Sequence, residues 1–553
     1  MNPLNNNSGI DGPPSTTPKQ PRLEAAPTGI SAGRDVTVYN QHQSFFFRLP
    51  DETKTMIIRY LGFREITHLV KVCRYLRDLV KNHKAMESAW YRRFPSSHQH
   101  QLKAMIATKD EQQLRDWLQP FANKDTVESL LKQQESTYFP LQLLFINSKL
   151  MSECRKFKLA EKARITHSYK IETATFSADS RHLLTASLDR TLKIYSQQSG
   201  GTWQETANIT HNGSVRSASF SSDSHHVLAT IYDKTVNIYG REDDGSWKAN
   251  AIIPHVVGVK SANFSADGRR VVIVGEDHTA KIFVQVDNVS WELEDTIHLI
   301  RQNVSASFSP DGRHLAIYGL NFALEIYCQS DAGSWVGKAV IPHDSPIDSA
   351  NFSTHSCHLV TTSFDYAANI FNLQVDGSWK KTATIQHGNF ITSANFSADC
   401  LHLVTASRDF TAKIYGLKSD GSWQRITTIT HNDWVCSAIF SADGCHLVTA
   451  SDDRTAKIYG LQTDGTWAKK ANITHEGPVL SATFSADGHH LVTTSRDCKA
   501  KICGLEADGS WLVKAIIEHK RTVNSANFSP DIRNVVTTCY DDTARITELQ
   551  KNG

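Results

Sequence analysis

The chain has 553 residues, enough for more than one domain and a large buried core. Its formal charge of +2 and its 21% charged residues exclude the strong basic excess of a general nucleic-acid or membrane-surface binder. No run of about 18 apolar residues is present to cross a membrane, and MNPLNNNSGIDGPPSTTPKQPRLE lacks the apolar core of a secretory signal.

Residues 1–44 are rich in Asn, Pro, Ser and Gly and poor in large apolar side chains. Such a composition cannot offset the entropy of ordering, so a disordered arm is expected. Residues 45–156 carry apolar positions at helical spacing in 54–61, 65–80, 110–118, 125–132 and 139–151. Asp110 and Asp125 suit helix N-caps, and Pro120 and Pro140 are expected to separate helices. The ten cysteines are scattered without a Cys-x-x-Cys pair, which suits a reduced compartment and offers no zinc-site spacing; no cofactor and no metal are expected.

From residue 157 the pattern changes to short alternating strands, and it repeats. Phe recurs every 44 residues from Phe176 to Phe528, and Trp does so from Trp203 to Trp511. Asp keeps the same step from Asp189 to Asp541, with Asn321 in one place. His keeps it from His167 to His519, with Leu299 in one place. Nine tandem units account for all four registers. In WQRITTITHNDWVCSAIFSADGCHLVTASDDRTAKIYG (423–460) four strands are predicted at 424–430, 435–441, 446–450 and 455–460, with Asp-Gly at 443–444 favouring a tight turn. Four antiparallel strands per 40–45 residues predict a propeller blade. LAEKARITH at 159–167 aligns with WAKKANITH at 467–475, so the first strand is expected to complete the last blade and close the ring. Nine blades are expected; the irregular fourth unit, with Leu299, Gly319 and Asn321, leaves eight open.

This spacing resembles the WD-repeat family. The resemblance implies a structural tetrad of His431, Asp453, Ser451 and Tyr459, and in the preceding unit His387, Asp409, Ser407 and Tyr415. The family's Trp-Asp pair is replaced here by Tyr459-Gly460. A His–Asp–Ser set can also mark a hydrolase, but eight near-copies point to a framework, and no catalytic residue is expected. The fold class read from the whole is a multidomain chain, a short all-α part followed by an all-β propeller at 157–553.

Residues 45–94 resemble an F-box: Leu49-Pro50-Asp51-Glu52, an apolar helix through Tyr60-Leu61, then Val72-Cys73-Arg74 and a late Trp90. Residues 95–156 then form a helical linker. The resemblance implies binding to a Skp-family adaptor and through it a cullin, with Leu49, Pro50, Ile57, Leu61 and Leu69 as contacts. The joint reading is a non-catalytic substrate-recognition subunit of an SCF-type ubiquitin ligase. The alternative is a WD-repeat scaffold, including a bacterial effector acting in a eukaryotic host. Cytoplasm, nucleus or host cytosol follow as expected locations, and neither nucleic acid nor membrane is an expected partner.

Between units the framework positions barely change while others vary freely. Those variable positions include the residue before each blade Asp and the residue four before each Phe. Exposed aromatics with Arg are favoured at interfaces, and Arg suits phosphate or carboxylate groups. The expected surface for a client protein, phosphorylated or not, is therefore Arg216, Tyr232, Lys260, Phe364, Phe390, Arg408, Trp434, Arg496 and Tyr540.

Overall fold

The computed structural model describes residues 54, 57–58, 66, 74–82, 84–94, 99, 111–118, 124–132 and 139–551, apart from 199–200, 256, 288–289, 300–302 and 331–332. The chain forms two units, Met1–Ile57 and Ile58–Gly553. In the first, Lys54 and Ile57 are described, both helical. The arm at 1–44 lies outside the described residues.

In the second unit Ile58 and Ile66 are helical, and the helices whose bounds are described are α1 (Arg74–Asn82), α2 (Ala85–Tyr91), α3 (Glu111–Leu118), α4 (Lys124–Leu131) and α5 (Phe139–Glu153). One expectation is borne out here and one is corrected. Pro140 stands at the start of α5, as its second residue, so it marks the boundary with α4 from within the first turn, where its missing N–H has no intrahelical partner to lose. Asp125 lies inside the first turn of α4, where its charge meets the helix dipole, and does not precede the helix as a cap. Asp110 and Pro120 lie outside the described residues.

Nine four-stranded antiparallel sheets follow, so the irregular fourth unit is a full blade (Asn303–Phe308, His314–Gly319, Ala323–Gln329, Trp335–Pro342). It keeps the fold because Asn321 Oδ1 still accepts the Ala323 N–H at 3.3 Å, as the turn aspartates do elsewhere, and because Leu299 is buried where a histidine would sit. Blade 6 shows the common plan: Ile391–Phe396, His402–Ser407, Thr411–Leu417 and Trp423–Thr430. First strands of adjacent blades lie against one another, which puts them at the axis. The second strands are buried along nearly their whole length, and read as near-continuous apolar and small residues because blades cover both faces. Outer strands alternate and face solvent on one side.

The core lies between blades. Trp423 of blade 6 packs edge-on against His358 of blade 5 at 5.5 Å and against Phe396 at 5.7 Å, within a cluster that joins Val360, Ala368 and Ile370 to Leu403. The same contact recurs from blade to blade, so each 44-residue step extends one continuous ring core. Closure is as the alignment implies: Phe157–Thr166 pairs with Thr543–Lys551 from Phe157↔Lys551 to Thr166↔Thr543, completing blade 9.

Antiparallel connectivity sorts the loops onto two faces. One face carries the turn between first and second strands. The other carries the turn between second and third strands together with the link from one blade to the next.

Candidate interaction surface

The repeated histidine and aspartate hold the link to the second turn. In blade 6, His387 Nδ1 is 2.8 Å from Asp409 Oδ2, and the Gly388 and Thr411 N–H groups donate to the same carboxylate at 2.9 Å. Burial opposes ionisation of Asp409, but the Thr411 hydroxyl, which donates to Oδ1 at 2.6 Å, the backbone donors and His387 more than compensate and hold its pKa at about 2. Burial lowers the pKa of His387, so the ring is neutral at pH 7. The expected tetrad needs correction. His387 Nε2 bonds Thr405 Oγ1 at 2.8 Å, not Ser407. The ring points inward, so its far nitrogen meets the residue one pleat deeper. Ser407, at the strand end, donates to the Asn389 carbonyl at 3.0 Å and accepts the Asp409 N–H. Tyr415 packs into the inter-blade core beside Trp423 and is not the fourth polar member. The same bonds recur at His431 with Asp453 and Thr449, at 2.7 and 2.9 Å. Asp, His and Thr in this order resemble a hydrolase relay, yet Thr405 is 0% exposed and no substrate can reach it.

The framework presents the variable positions in pairs. The N–H of Arg408, on the second turn, donates to the carbonyl of Phe390, on the link, at 2.9 Å; Asp452 and Trp434 are joined likewise. Tyr232–Ser214, Phe364–Pro346, Arg496–Pro478 and Tyr540–Thr522 repeat the bond at 3.0 Å. Phe364 and Phe390 stand edge-to-face at 5.8 Å, and the Arg408 guanidinium lies 4.8 Å over the Trp434 ring. These four residues and the exposed Arg496 lie along blades 5 to 8. Arg216, over Tyr232 at 5.8 Å, belongs to blade 2, on the far side of blade 4 from that group. Lys260 is half-buried and ion-paired with Glu276 at 2.5 Å, which leaves it less available than the others. Tyr540 is exposed on blade 9.

Sequence reasoning missed one register on this face. The residue after each blade Asp, or after Asn321 in blade 4, has a left-handed backbone in all nine blades, including Phe322 (φ 59°), Tyr366 (φ 67°) and Phe410 (φ 68°). A bulky side chain pays about 1–2 kcal/mol there relative to glycine. Tyr366 packs on Phe390 at 4.9 Å, and Phe322 and Phe410 are exposed. The 44-residue step from Arg190 to Asp542 was the available signal.

The opposite face is occupied at blades 7 to 9. Trp90 of α2 is buried against Phe94 and Phe145, in a cluster that includes Leu114, Trp117 and Leu143 and meets Ala442 of blade 7. Arg93 pairs with Asp443 in the first turn of blade 7. Ser148 donates to Asp487 of blade 8 at 2.8 Å. At blade 9, Arg533 donates to Asn147 Oδ1 at 2.8 and 3.2 Å and lies 4.5 Å over the Trp117 ring, while Trp117 Nε1 donates to Asp531 at 3.3 Å. Burial pushes the Arg533 pKa down to about 9, so it stays charged at pH 7. A cavity of about 950 Å³ opens beside Trp117 and Arg533, lined by Arg181, Arg241, Asp244 and Glu548, with charges of both signs.

Of the expected adaptor contacts, Ile57 is helical and half-buried; Leu49, Pro50, Leu61 and Leu69 lie outside the described residues.

The model of the WD domain, G-beta repeat, matches residues 161–196, 203–240, 379–416, 423–460, 469–503 and 510–547, and the F-box domain model matches residues 46–86. The chain is similar to the C-terminal WD40 domain of Sif2 at 12% identity and a TM-score of 0.47, over 70% of this chain and 98% of that one. It is also similar to Chaetomium thermophilum Sqt1, solved bound to the N-terminus of a ribosomal protein, at 14% identity and a TM-score of 0.46, over 59% and 94%. No curated protein matches the chain.

Proposed function

This chain joins an F-box domain to a nine-bladed WD-repeat propeller, and from that premise we propose that it is the substrate-recognition subunit of an SCF-type ubiquitin ligase. The F-box would dock a Skp-family adaptor, and through it a cullin, using Leu49, Pro50, Ile57, Leu61 and Leu69. The propeller would hold a client on the face of links and second turns. The observation that carries this reading is the division of labour between faces. The helices that continue from the F-box match engage the first turns of blades 7 to 9, and the exposed aromatics and arginines stand on the other side of the ring. The chain itself would do no chemistry; its contribution is to fix the distance from client to ubiquitin-charged enzyme.

Arg408 and Arg496, with Phe364, Phe390 and Trp434, form the denser half of the proposed client surface. Aromatic anchors beside arginine give an acidic or phosphorylated segment both apolar contact and charge-assisted hydrogen bonds. The protein would act in the cytosol or nucleus of a eukaryotic cell, its own or a host's.

The test is co-purification of the full chain with a Skp-family adaptor, followed by ubiquitin transfer in a reconstituted ligase. Leu49→Ala with Pro50→Ala should weaken adaptor capture at least tenfold. Unchanged capture refutes the F-box contacts. Capture of adaptor and client without ubiquitin transfer leaves only the scaffold reading.

A further inference from the structure

Blade 9 differs from its neighbours at several framework positions, and one of them carries a thiol. Its second strand ends in Cys539, where blades 1, 5, 6, 7 and 8 carry Ser187, Ser363, Ser407, Ser451 and Ser495. In blades 1, 6, 7 and 8 the histidine Nδ1 meets the turn aspartate at 2.7–3.0 Å. In blade 9, His519 Nε2 still bonds Thr537 at 2.8 Å, which fixes the ring, but the buried Nδ1 has no hydrogen-bond partner. His519 is 9% exposed and Cys539 4%. A ring nitrogen of His519, the Cys539 sulfur and an Asp541 carboxylate oxygen all lie within 4.8 Å of one another.

We propose that His519, Cys539 and Asp541 form a binding site for a divalent transition-metal ion of the zinc class, with water as a fourth ligand. An imidazole nitrogen, a thiolate and a carboxylate are the donors that select zinc over magnesium or calcium, which take oxygen alone. Zinc bonds of about 2.0–2.3 Å place tetrahedral ligands roughly 3.3–3.8 Å apart, so the three groups need to close by about an ångström. The Tyr540 N–H to Thr522 carbonyl bond at 3.0 Å already joins the two segments involved, which limits the movement required. Asp541, half-buried at the rim, gives the ion a way in.

The thiol proton faces the Arg521 carbonyl at 3.3 Å and the Asp541 carboxylate. On binding, the S–H bond breaks, the proton leaves to solvent and the metal–sulfur bond forms, with no change of oxidation state. Thiolate and carboxylate together cancel the charge of the ion. The Arg545 guanidinium opposes an added cation, but it is tied to the Glu518 carbonyl at 2.9 Å, and lysines hold the equivalent place in blades 6 to 8. A bound ion would cross-link the link and the second turn of the blade that closes the ring.

The full chain, stripped with chelator, is titrated with cobalt(II) and then zinc(II). One equivalent of cobalt should give a thiolate-to-cobalt charge-transfer band, displaced by zinc. Two variants copy residues that other blades already carry at these positions. Cys539→Ser should abolish the band with an unchanged circular dichroism spectrum, and Asp541→Asn should weaken cobalt affinity at least tenfold. No band in the unsubstituted chain overturns the proposal. So does a band and affinity unaltered by both substitutions, which would assign the signal to another cysteine.

Discussion

Arg533→Ala probes the joint between helices and propeller. Arg533 is 4% exposed and makes two hydrogen bonds to Asn147 Oδ1 and one cation–π contact with Trp117. Charge-assisted bonds of this kind contribute about 1.5–3 kcal/mol, and a desolvated cation–π contact about 2 kcal/mol. Removal also leaves Asn147 Oδ1 short of donors and takes away a positive charge that interacts with the buried Asp531 carboxylate. Against this stands the relief of the cost of burying a guanidinium, which is several kcal/mol. A net loss of about 3 kcal/mol is expected, or roughly a hundredfold in the docking equilibrium. The loss should fall on docking and leave the blades intact, because residue 533 is in the first turn of blade 9, before Asn534–Cys539, and its strand pairings are kept. Hydrogen exchange read by mass spectrometry should show faster exchange in α5 and unchanged exchange in the strands of blades 2 to 6. Arg533→Lys should recover little, since an ammonium cannot fork to Asn147 while stacking on Trp117. Unchanged α5 protection in Arg533→Ala would refute the clamp. So would a uniform rise in exchange over all nine blades, which would make helices and ring one cooperative unit.

Three further outcomes are expected. Burial lowers the pKa of all eight link histidines, from His167 to His519, the last to about 4. The unfolded chain therefore binds more protons below about pH 6.5, stability is fully present above that value, and it is lost as pH falls from there toward the folded values; a denaturation midpoint that is flat from pH 7 to 5 would contradict this. Thr405→Val leaves His387 Nε2 buried without a partner and should cost about 1–3 kcal/mol in urea unfolding, whereas no loss would restore Ser407 as the partner. Arg408→Glu with Arg496→Glu should abolish capture of the client while circular dichroism stays constant, and full retention would move the client surface elsewhere.

The ring was legible because a propeller repeats one local solution, and four registers at a 44-residue step cannot arise from unrelated elements. Its closure could be read from the strand-like segment at 159–167, which has no unit of its own. The partner of the histidine was not legible in the same way. Thr405 stands among β-branched residues that fill any strand, so its hydroxyl looked incidental, while Ser407 looked polar and near Asp409. Depth along the strand decided between them, and depth is a tertiary property. Phe322, Tyr366 and Phe410 were passed over because a turn residue after Asp reads as linker, whereas its left-handed backbone marks a side chain kept despite strain. The clamp had no local signal at all: Trp117 and Asp531 are 414 residues apart, and Asn147 and Arg533 are 386 apart.

The clamp also explains why one framework element serves two purposes. Every first turn except that of blade 5, which carries Ser353 and His355, is built by a serine and an aspartate, as Ser441 with Asp443, Ser485 with Asp487 and Ser529 with Asp531. One carboxylate oxygen closes the turn. The second is left over, and at blades 7, 8 and 9 it receives Arg93, Ser148 and Trp117. Helices docked through these oxygens sit on the face of the first turns, while the links and second turns lie on the other face. The receptor role proposed above needs that separation, and the fold supplies it through which end of each antiparallel strand pair a turn occupies.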